Sequence, residues 1–468
     1  MRIVILGAGQ VGATLARNLV NEGNDVTLVD IDENRLCELR HRLDIKTVHG
    51  LASYPNVLIE AGIEAAHMLI AVTDSDEINM IGCQIAYSLF RTPTKIARIR
   101  AQNYYDYPQL FRNKFIAIDV CISPEKLVTE HIKNLIDYPG VTQVLDFADG
   151  KLLLVTIRPY PHGKMVGKTI LQLYKFVNSK NLRIIAIFRN KVAITLTNDS
   201  KIVASDDVLF IASPHEVQLV LIAFGRHTEP NKRIIIAGGG FIGTHLAQTL
   251  ENNYKVKVIE RDFERASKIA TQLHKGTVLQ GDIADRELLL NENIEFVDVF
   301  CAVSNNDETN MMSCFQAKRL GARQVMALVN RHAYVELIDE SVIDQAISPH
   351  LITIGSILTK IRRGNMVKIY RLKNNEAEAI ELIVYGTLLN SKVIGRRLCD
   401  LELPPSCTIA AVIRNTKIYI DDNDCVIASG DHIIVLLLKK RYVSQIESLF
   451  QVDLTWQAQF KQNIYIEN

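Results

Sequence analysis

The fold of this chain is decided by the stretch Arg2–Gly12, which reads R-I-V-I-L-G-A-G-Q-V-G. Four aliphatic residues lead directly into the spacing Gly-x-Gly-x-x-Gly, and an amphipathic run, Thr14–Asn21, follows. This order predicts a strand, a tight turn and a helix, the context in which the glycine spacing indicates a phosphate-binding turn. Gly7 would permit the turn, Gly9 would let a pyrophosphate approach the backbone, and Gly12 would let the helix pack closely.

A carboxylate stands at the end of the next predicted strand, where it could bind a ribose. Asp25–Asp30 reads D-V-T-L-V-D, and Asp30 lies 18 residues beyond Gly12. In dinucleotide-binding folds a carboxylate at this place accepts hydrogen bonds from the adenosine ribose. The alternative for a single acid at a strand end is the N-cap of the following helix. The glycine turn upstream favours the ribose role for Asp30.

Further segments complete a sheet. Thr73 and Asp74 follow its apolar fourth strand, at the carboxyl edge where open α/β sheets bind ligands. Arg98, in the fifth strand, could pair with a pyrophosphate; a solvated arginine on an edge strand is the alternative. Residues 1–122 are therefore predicted to form a six-stranded, doubly wound parallel sheet. The other predicted strands are Lys46–His49, His67–Val72, Lys95–Arg100 and Ala117–Ile122.

The composition changes after this unit. Residues 142–226 read as short strands with a hairpin signal at Asp149-Gly150 and two helical segments, which predicts a small α+β domain. Residues 123–141 connect the two as a predicted amphipathic crossover helix. We expect its apolar side to pack against another subunit, and packing within its own domain is the alternative. That side consists of Leu127, Ile132, Leu135 and Ile136.

After the small domain, the sequence pattern of the first unit begins again. Arg233–Gly243 reads R-I-I-I-A-G-G-G-F-I-G and repeats the opening stretch at an offset of 231. Glu260 takes the place of Asp30, and A-V-S-N-N-D-E-T-N at 302–310 repeats A-V-T-D-S-D-E-I-N at 71–79. Two copies that keep strand, turn, helix and acid in register are strong evidence for two dinucleotide-type folds.

The small domain is also repeated. Residues 409–415, I-A-A-V-I-R-N, match residues 184–190, I-I-A-I-F-R-N. The chain is therefore predicted to be one module of about 230 residues present twice. The second copy comprises a doubly wound domain at 232–348, a crossover helix at 349–365 and a small α+β domain at 366–452.

The two predicted pockets are not equal. In the second copy the position of Arg98 falls on an apolar residue of M-A-L-V-N-R, so that pocket loses a phosphate partner. Asp282 follows Gly281 and could accept from an adenine amino group or a ribose hydroxyl. Arg261, beside Glu260, could pair with a phosphate or stack on adenine. We expect the pockets to differ in ligand or affinity.

Composition excludes several classes of protein. Of 468 residues, 48% are hydrophobic and the net charge is +1, so neither disorder nor a nucleic-acid partner is indicated. The eight cysteines form no C-x-x-C pair, so no metal site is predicted. No apolar stretch reaches the roughly 20 residues of a membrane span, and no cleavable signal is recognised. A cytoplasmic chain with reduced thiols is expected.

The G-A-G-Q-V-G turn, the L-V-D acid, the A-V-T-D-S-D-E-x-N segment and the R-I-R strand resemble the regulator-of-potassium-conductance (RCK) domain. The small α+β units resemble the C-terminal domains that follow it. The resemblance covers nearly the whole chain and implies pockets for NAD(H), with ATP or ADP as further ligands. The first pocket would consist of Gly7, Ala8, Gly9, Gln10, Val11, Gly12, Asp30, Thr73, Asp74 and Arg98. The second would consist of Gly238, Gly239, Gly240, Phe241, Ile242, Gly243, Glu260, Asp282, Ser304 and Asn305.

The resemblance also implies a function. Such chains are regulatory subunits that assemble as homo-oligomers, dimers or larger gating rings, on the inner face of the cell inner membrane. They would gate a membrane potassium-translocating subunit of the TrkH or TrkG type, without catalysis. In the second pocket, ATP, ADP or only the adenosine half of NAD could bind. The competing hypothesis is an NAD-dependent oxidoreductase, but His162, His215 and His432 lack register between the copies.

Overall fold

The computed structural model describes residues 1–159, 161–179, 181–190, 192–225, 231–331, 334–335, 338, 342–361, 366–372, 377–439 and 442–452. The chain divides into two compact units. One combines Met1–Glu130 with Lys232–Lys360, and the other combines His131–Asn231 with Ile361–Asn468. The first unit contains two large lobes, and the second contains two small domains.

The first lobe is a six-stranded parallel sheet in the order β3-β2-β1-β4-β5-β6. The order reverses between β1 and β4, which places a ligand crevice at the carboxyl ends of these two strands. Its strands are β1 (Arg2–Leu6), β2 (Asp25–Asp30), β3 (Lys46–His49), β4 (Met68–Ala71), β5 (Thr94–Arg98) and β6 (Val120–Ile122). Its helices are α1 (Gln10–Asn21), α2 (Glu33–Arg42), α3 (Pro55–Glu60), α4 (Asp76–Phe90), α5 (Gln102–Tyr105) and α6 (Pro124–Asp137).

The pattern of burial explains this architecture. All four residues of β4 are buried, as expected for a strand covered by helices on both faces. Helix α1 buries Val11, Leu15, Ala16 and Leu19, whose positions i, i+4, i+5 and i+8 put them on one side of the helix. The glycine turn is therefore fixed between a buried strand and a packed helix.

The first small domain is a five-stranded antiparallel sheet in the order β10-β9-β11-β8-β7. Arg189 forms an ion pair of 2.7 Å with Asp206, whose side chain is fully buried. Its strands are β7 (Val141–Phe147), β8 (Leu152–Ile157), β9 (Leu182–Arg189), β10 (Val192–Ala193) and β11 (Asp207–Ala212), and its helices are α7 (Ile170–Val177) and α8 (Pro214–Ala223).

The second lobe repeats the first, with the strand order β14-β13-β12-β15-β16-β17 and parallel pairing throughout. Its strands are β12 (Arg233–Ala237), β13 (Lys255–Glu260), β14 (Thr277–Gln280), β15 (Val299–Ala302), β16 (Gln324–Leu328) and β17 (Gln345–Ile347). Its helices are α9 (Phe241–Leu250), α10 (Phe263–Gln272), α11 (Arg286–Asn291), α12 (Asp307–Arg319) and α13 (Pro349–Ile361).

The second small domain is again antiparallel, in the order β18-β19-β22-β20-β21. It repeats the buried ion pair, since Arg414 lies 2.7 Å from the fully buried Asp431. Its strands are β18 (Met366–Arg371), β19 (Glu378–Ile383), β20 (Cys407–Arg414), β21 (Lys417–Tyr419) and β22 (His432–Leu437), and its helix is α14 (Val443–Phe450).

The predicted fold class, two doubly wound sheets alternating with two small α+β domains, is confirmed by these four sheets. The crossover helix requires a correction. Ile132, Leu135 and Ile136 of α6 are at most 1% exposed within this single chain, so they are not available to another subunit; Leu127, the fourth residue of the predicted side, is half-buried. The fifth strand ends at Arg98 instead of Arg100, and the short helix α5 was not anticipated. Residues 362–365 of the second predicted crossover helix lie outside the described residues.

Candidate functional site

The glycine turn of the first lobe has no room for side chains at two of its three glycines. Gly7 has φ +102°, and a Cβ atom there would lie 2.9 Å from the Thr73 amide nitrogen. A Cβ atom on Gly12 would lie 1.8 Å from the Gly7 carbonyl oxygen. A Cβ atom on Gly9 would meet nothing within 4 Å. The turn is therefore closed towards the protein and open where a phosphate would approach.

The second lobe reproduces this turn. Gly238 has φ +114°, and a Cβ atom on Gly243 would lie 1.9 Å from the Gly238 carbonyl oxygen. Gly240, like Gly9, faces open space. These two glycines are the N-caps of α9 and α1, and neither helix start has a side-chain cap. The amide groups of both first turns are left to bind an anion.

Asp30 is fixed at the turn by two backbone amides. Its Oδ2 accepts from Ala8 N at 2.5 Å and its Oδ1 accepts from Asp32 N at 2.9 Å. A carboxylate oxygen has a second lone pair, so both oxygens can still accept from ribose hydroxyls. The N-cap of α2 is Asp32, whose Oδ1 accepts from Asn34 N and Arg35 N. The alternative role of Asp30 as the cap is therefore wrong.

Glu260 makes the same contacts in the second lobe. Its Oε2 accepts from Gly239 N and its Oε1 accepts from Asp262 N, both at 2.9 Å. The longer side chain is accommodated because Gly239 replaces Ala8. A Cβ atom on Gly239 would lie 2.9 Å from Glu260 Oε2 and 2.4 Å from a methyl carbon of Ile269. Glu260 is only 7% exposed, whereas Asp30 is half-buried.

The segment A-V-[ST]-x-x-D-E-x-N holds the carboxyl edge of each sheet together. The Oδ1 of the fully buried Asn79 accepts from the amide and hydroxyl of Thr73, at 3.0 and 2.7 Å. Its Nδ2 donates to the Arg98 carbonyl oxygen at 2.9 Å. Asn310 makes the same bonds to Ser304 and to the Leu328 carbonyl oxygen. This asparagine was missed as a site residue, although its recurrence in both copies marks it.

An aspartate of the same segment was missed too. Both oxygens of Asp76 accept from the Arg100 amide, and Oδ2 also accepts from Ala101 N at 2.8 Å. Asp307 does the same for the amides of Asn330 and Arg331. These acids therefore fix the loop after the fifth strand of each lobe, which borders the crevice.

Arg98 is the main chemical difference between the crevices. It is 8% exposed, Nη2 donates to the Thr73 carbonyl oxygen at 2.6 Å, and Nε has no hydrogen-bond partner. Burial and the neighbouring Arg100 lower its pKa to about 10. Because β5 lies between β4 and β6, the alternative of a solvated edge-strand arginine is wrong. Leu328, 4% exposed, takes its place in the second lobe.

The remaining predicted residues lie around these crevices. Gln10 follows the first turn and is exposed, and Val11 is buried. Phe241 is 75% exposed at the start of α9, and Ile242 is half-buried. In each lobe the structure thus brings together the glycine turn, the acid at the end of the second strand, and Thr73 or Ser304. The other three predicted residues, Asp74, Asn305 and Asp282, are exposed in the flanking loops.

No cluster of three or more potential metal ligands occurs within the described ranges of the chain. None of the helices in this described part has the length and apolarity that a bilayer crossing requires. Two observations fit a nucleotide: the open space at Gly9 and the unpartnered guanidinium nitrogen of Arg98. A turn that presents free amides and a nearby cation are suited to phosphate oxygens.

Comparison with solved structures shows the fold. The crystal structure of the GsuK RCK domain is 17% identical, covers 96% of this chain and 94% of that chain, and gives a TM-score of 0.59. The GsuK channel bound to NAD is 18% identical, covers 95% and 78%, and gives a TM-score of 0.58.

Comparison with protein families and curated sequences shows the family. A model of the TrkA-N domain matches residues 3–124 and 234–349, and a model of the TrkA-C domain matches residues 387–451. The Trk system potassium uptake protein TrkA of Halomonas elongata is 47% identical over 97% of this chain and 100% of its own length. The TrkA protein of Vibrio alginolyticus is 46% identical, over 96% and 99%. The chain therefore belongs to the TrkA family of Trk system potassium uptake proteins.

Proposed function

We propose that this chain is the regulatory subunit of a potassium uptake system and gates a membrane potassium-translocating subunit of the TrkH or TrkG type. NAD(H) and the adenine nucleotides ATP and ADP bind in its two lobes. The observation that carries the proposal is the open turn with its paired acid, present twice in a chain nearly half identical to a Trk uptake protein over its full length.

The residues divide the work of binding a nucleotide. The amides at the start of α1 and α9 receive phosphates, while Asp30 and Glu260 accept from the ribose hydroxyls. Arg98 adds a cation in the first lobe, where full NAD binds. In the second lobe Leu328 removes that cation, so ATP, ADP or only the adenosine half of NAD is the expected ligand.

Gating follows from differential affinity. A nucleotide shifts the equilibrium between two conformations only by the ratio of its affinities for them. A tenfold ratio corresponds to about 1.4 kcal/mol per site, and equivalent sites in a homo-oligomeric ring would add. The chain acts at the cytoplasmic face of the inner membrane and catalyses no reaction. The domain boundaries at residues 122, 141, 226, 348 and 365 belong to the same proposal.

Potassium uptake tests the proposal directly. Cells that lack their own copy of this gene should regain uptake with the wild-type chain and lose its nucleotide response with Asp30→Ala. Uptake that responds to nucleotides equally in both would refute the role of the first lobe. Steady consumption of NADH by the purified chain with small oxo acids would instead support the NAD-dependent oxidoreductase.

A further inference from the structure

A connected set of hydrogen bonds holds Arg98 at the edge of the first crevice. Its guanidinium donates through Nη2 to the Thr73 carbonyl oxygen at 2.6 Å, the one hydrogen bond that the guanidinium makes within the described part of the chain. The Thr73 amide nitrogen lies against the glycine turn, where a Cβ atom on Gly7 would be 2.9 Å away. A single residue, Thr73, therefore connects the cation to the phosphate-binding turn.

Asn79 fixes both partners of this connection. Its Oδ1 accepts from the amide and the hydroxyl of Thr73, at 3.0 and 2.7 Å. Its Nδ2 donates to the carbonyl oxygens of Thr73 and Arg98, at 3.2 and 2.9 Å. One side chain thus holds both the backbone from which the guanidinium projects and the residue to which the guanidinium is bound. Asn79 is 0% exposed, so it cannot reach a ligand itself.

The second lobe contains the same bonds without the cation. Asn310 Oδ1 accepts from the amide and the hydroxyl of Ser304. Its Nδ2 donates to the carbonyl oxygens of Ser304 and Leu328, both at 2.9 Å. Because Leu328 takes the place of Arg98, these bonds hold only backbone and a hydroxyl. The two asparagines are therefore equivalent in the scaffold and differ in whether a cation depends on them.

We propose that Asn79 is a positioning residue for the nucleotide of the first lobe. It holds Arg98 and Thr73 together, so that the guanidinium meets the phosphate chain beside the glycine turn. An arginine side chain has many rotamers, and fixing it before the ligand arrives removes an entropic cost from binding. Asn310 has no such role. This inference rests on the proposed function, because it needs NAD(H) in the first pocket.

The loss of Asn79 should change affinity only through Arg98. Asn79→Ala should lower the affinity of the first lobe for NAD⁺ about tenfold, as Arg98→Leu does, because a guanidinium that is not held in place loses its charge-assisted contact. The double variant Asn79→Ala/Arg98→Leu should bind NAD⁺ no more weakly than Arg98→Leu alone. Such non-additivity distinguishes action through Arg98 from an independent effect on the crevice.

Calorimetry with NAD⁺ on the full chain tests the proposal, with Asn310→Ala as the matched control. The site of the first lobe is identified as the one that Asp30→Ala removes. Asn310→Ala should destabilise its lobe in thermal unfolding as Asn79→Ala destabilises the first, yet change first-lobe affinity by less than about twofold. Unchanged affinity in Asn79→Ala, multiplied losses in the double variant, or an equal loss with Asn310→Ala would overturn the positioning role.

Thr73→Val keeps the proposal testable if Asn79→Ala does not fold. It removes the hydroxyl that donates to Asn79 and leaves a side chain of nearly the same shape. First-lobe affinity should fall about threefold in the wild-type background and not at all beside Arg98→Leu. An equal loss in both backgrounds, or none in either, would overturn the positioning role and leave the proposed function intact. Failure of wild type to bind NAD⁺ would overturn both.

Discussion

The first lobe places Arg98 where the second places Leu328, and it pairs Ala8 with Asp30 where the second pairs Gly239 with Glu260. The backbone contacts behind these side chains are the same. Each acid accepts from two backbone amides at equivalent positions, Asp30 from Ala8 and Asp32 and Glu260 from Gly239 and Asp262. The duplication has therefore kept the hydrogen bonds that shape the crevice and changed the side chains that decide its charge and the burial of its acid.

The scaffold residues explain why the lobes could diverge in this way. Asn79 and Asn310 satisfy the same backbone groups, although one binds the carbonyl of an arginine and the other that of a leucine. A bond to a backbone carbonyl does not depend on the side chain of that residue. The fifth strand can thus exchange Arg98 for Leu328 without loss of its anchor.

The largest expected effect is common to both lobes. Gly12→Ala and Gly243→Ala each place a methyl group within 2 Å of a carbonyl oxygen, at 1.8 and 1.9 Å respectively. We expect each to lower the free energy of unfolding by roughly 3 kcal/mol or more, because backbone must move. Thermal and urea unfolding would measure it.

Gly9→Ala and Gly240→Ala are the matched controls, since their methyl groups face open space. They should cost about 1 kcal/mol or less, the effect of alanine at an N-cap. Comparable destabilisation by all four substitutions would contradict the close approach of helix and turn. Unequal effects of Gly12→Ala and Gly243→Ala would show that the lobes differ in their scaffold.

The pairing of turn residue and acid should appear as an energetic coupling. Gly239→Ala crowds Glu260, with an expected cost of about 1–2 kcal/mol. Glu260→Asp in that background recreates the pair of the first lobe and should recover about 1 kcal/mol. Asp30→Glu should likewise be better tolerated with Ala8→Gly. Strictly additive unfolding free energies in both double-mutant cycles would rule out size compensation.

Arg98→Leu converts the first crevice to the pattern of the second. Stability should change by less than about 1 kcal/mol, because the substitution removes a buried cation with an unpartnered nitrogen. Affinity for NAD⁺ in the first lobe should fall about tenfold, the loss of one charge-assisted contact. An unchanged affinity by calorimetry would show that Arg98 does not face the ligand.

The local sequence pattern was sufficient to predict the fold and part of the candidate site. The bonds of Asp30 and Glu260 to backbone amides were not anticipated, whereas the glycine spacing and the repeat at 231 residues predicted the two turns. Such features depend on neighbours along the chain. The assignment of Asp32 as the helix cap needed the structure, because two acids two residues apart compete for that role.

Contacts between residues that lie far apart in the sequence could not be predicted from the local sequence pattern. Asn79 donates a hydrogen bond to the backbone carbonyl oxygen of Arg98, 19 residues away, and Asp76 accepts one from a backbone amide of the loop after Arg98. In the first small domain the arginine of the repeated I-I-A-I-F-R-N segment, Arg189, forms an ion pair with Asp206, 17 residues further along the chain. The packing partner of the crossover helix was predicted wrongly, because the apolar side of a helix does not show whether the surface that covers it belongs to the same chain or to another subunit.

The most direct measurement is the number of adenine-nucleotide sites per chain, by calorimetry with NAD⁺ and ADP on wild type, Asp30→Ala and Glu260→Ala. We predict two unequal classes in wild type, with NAD⁺ tighter in the first lobe. Each variant should lose one class, by about 100-fold for two charged hydrogen bonds, and keep the other. A single class, or variants that retain both, would contradict the account of two related but unequal lobes.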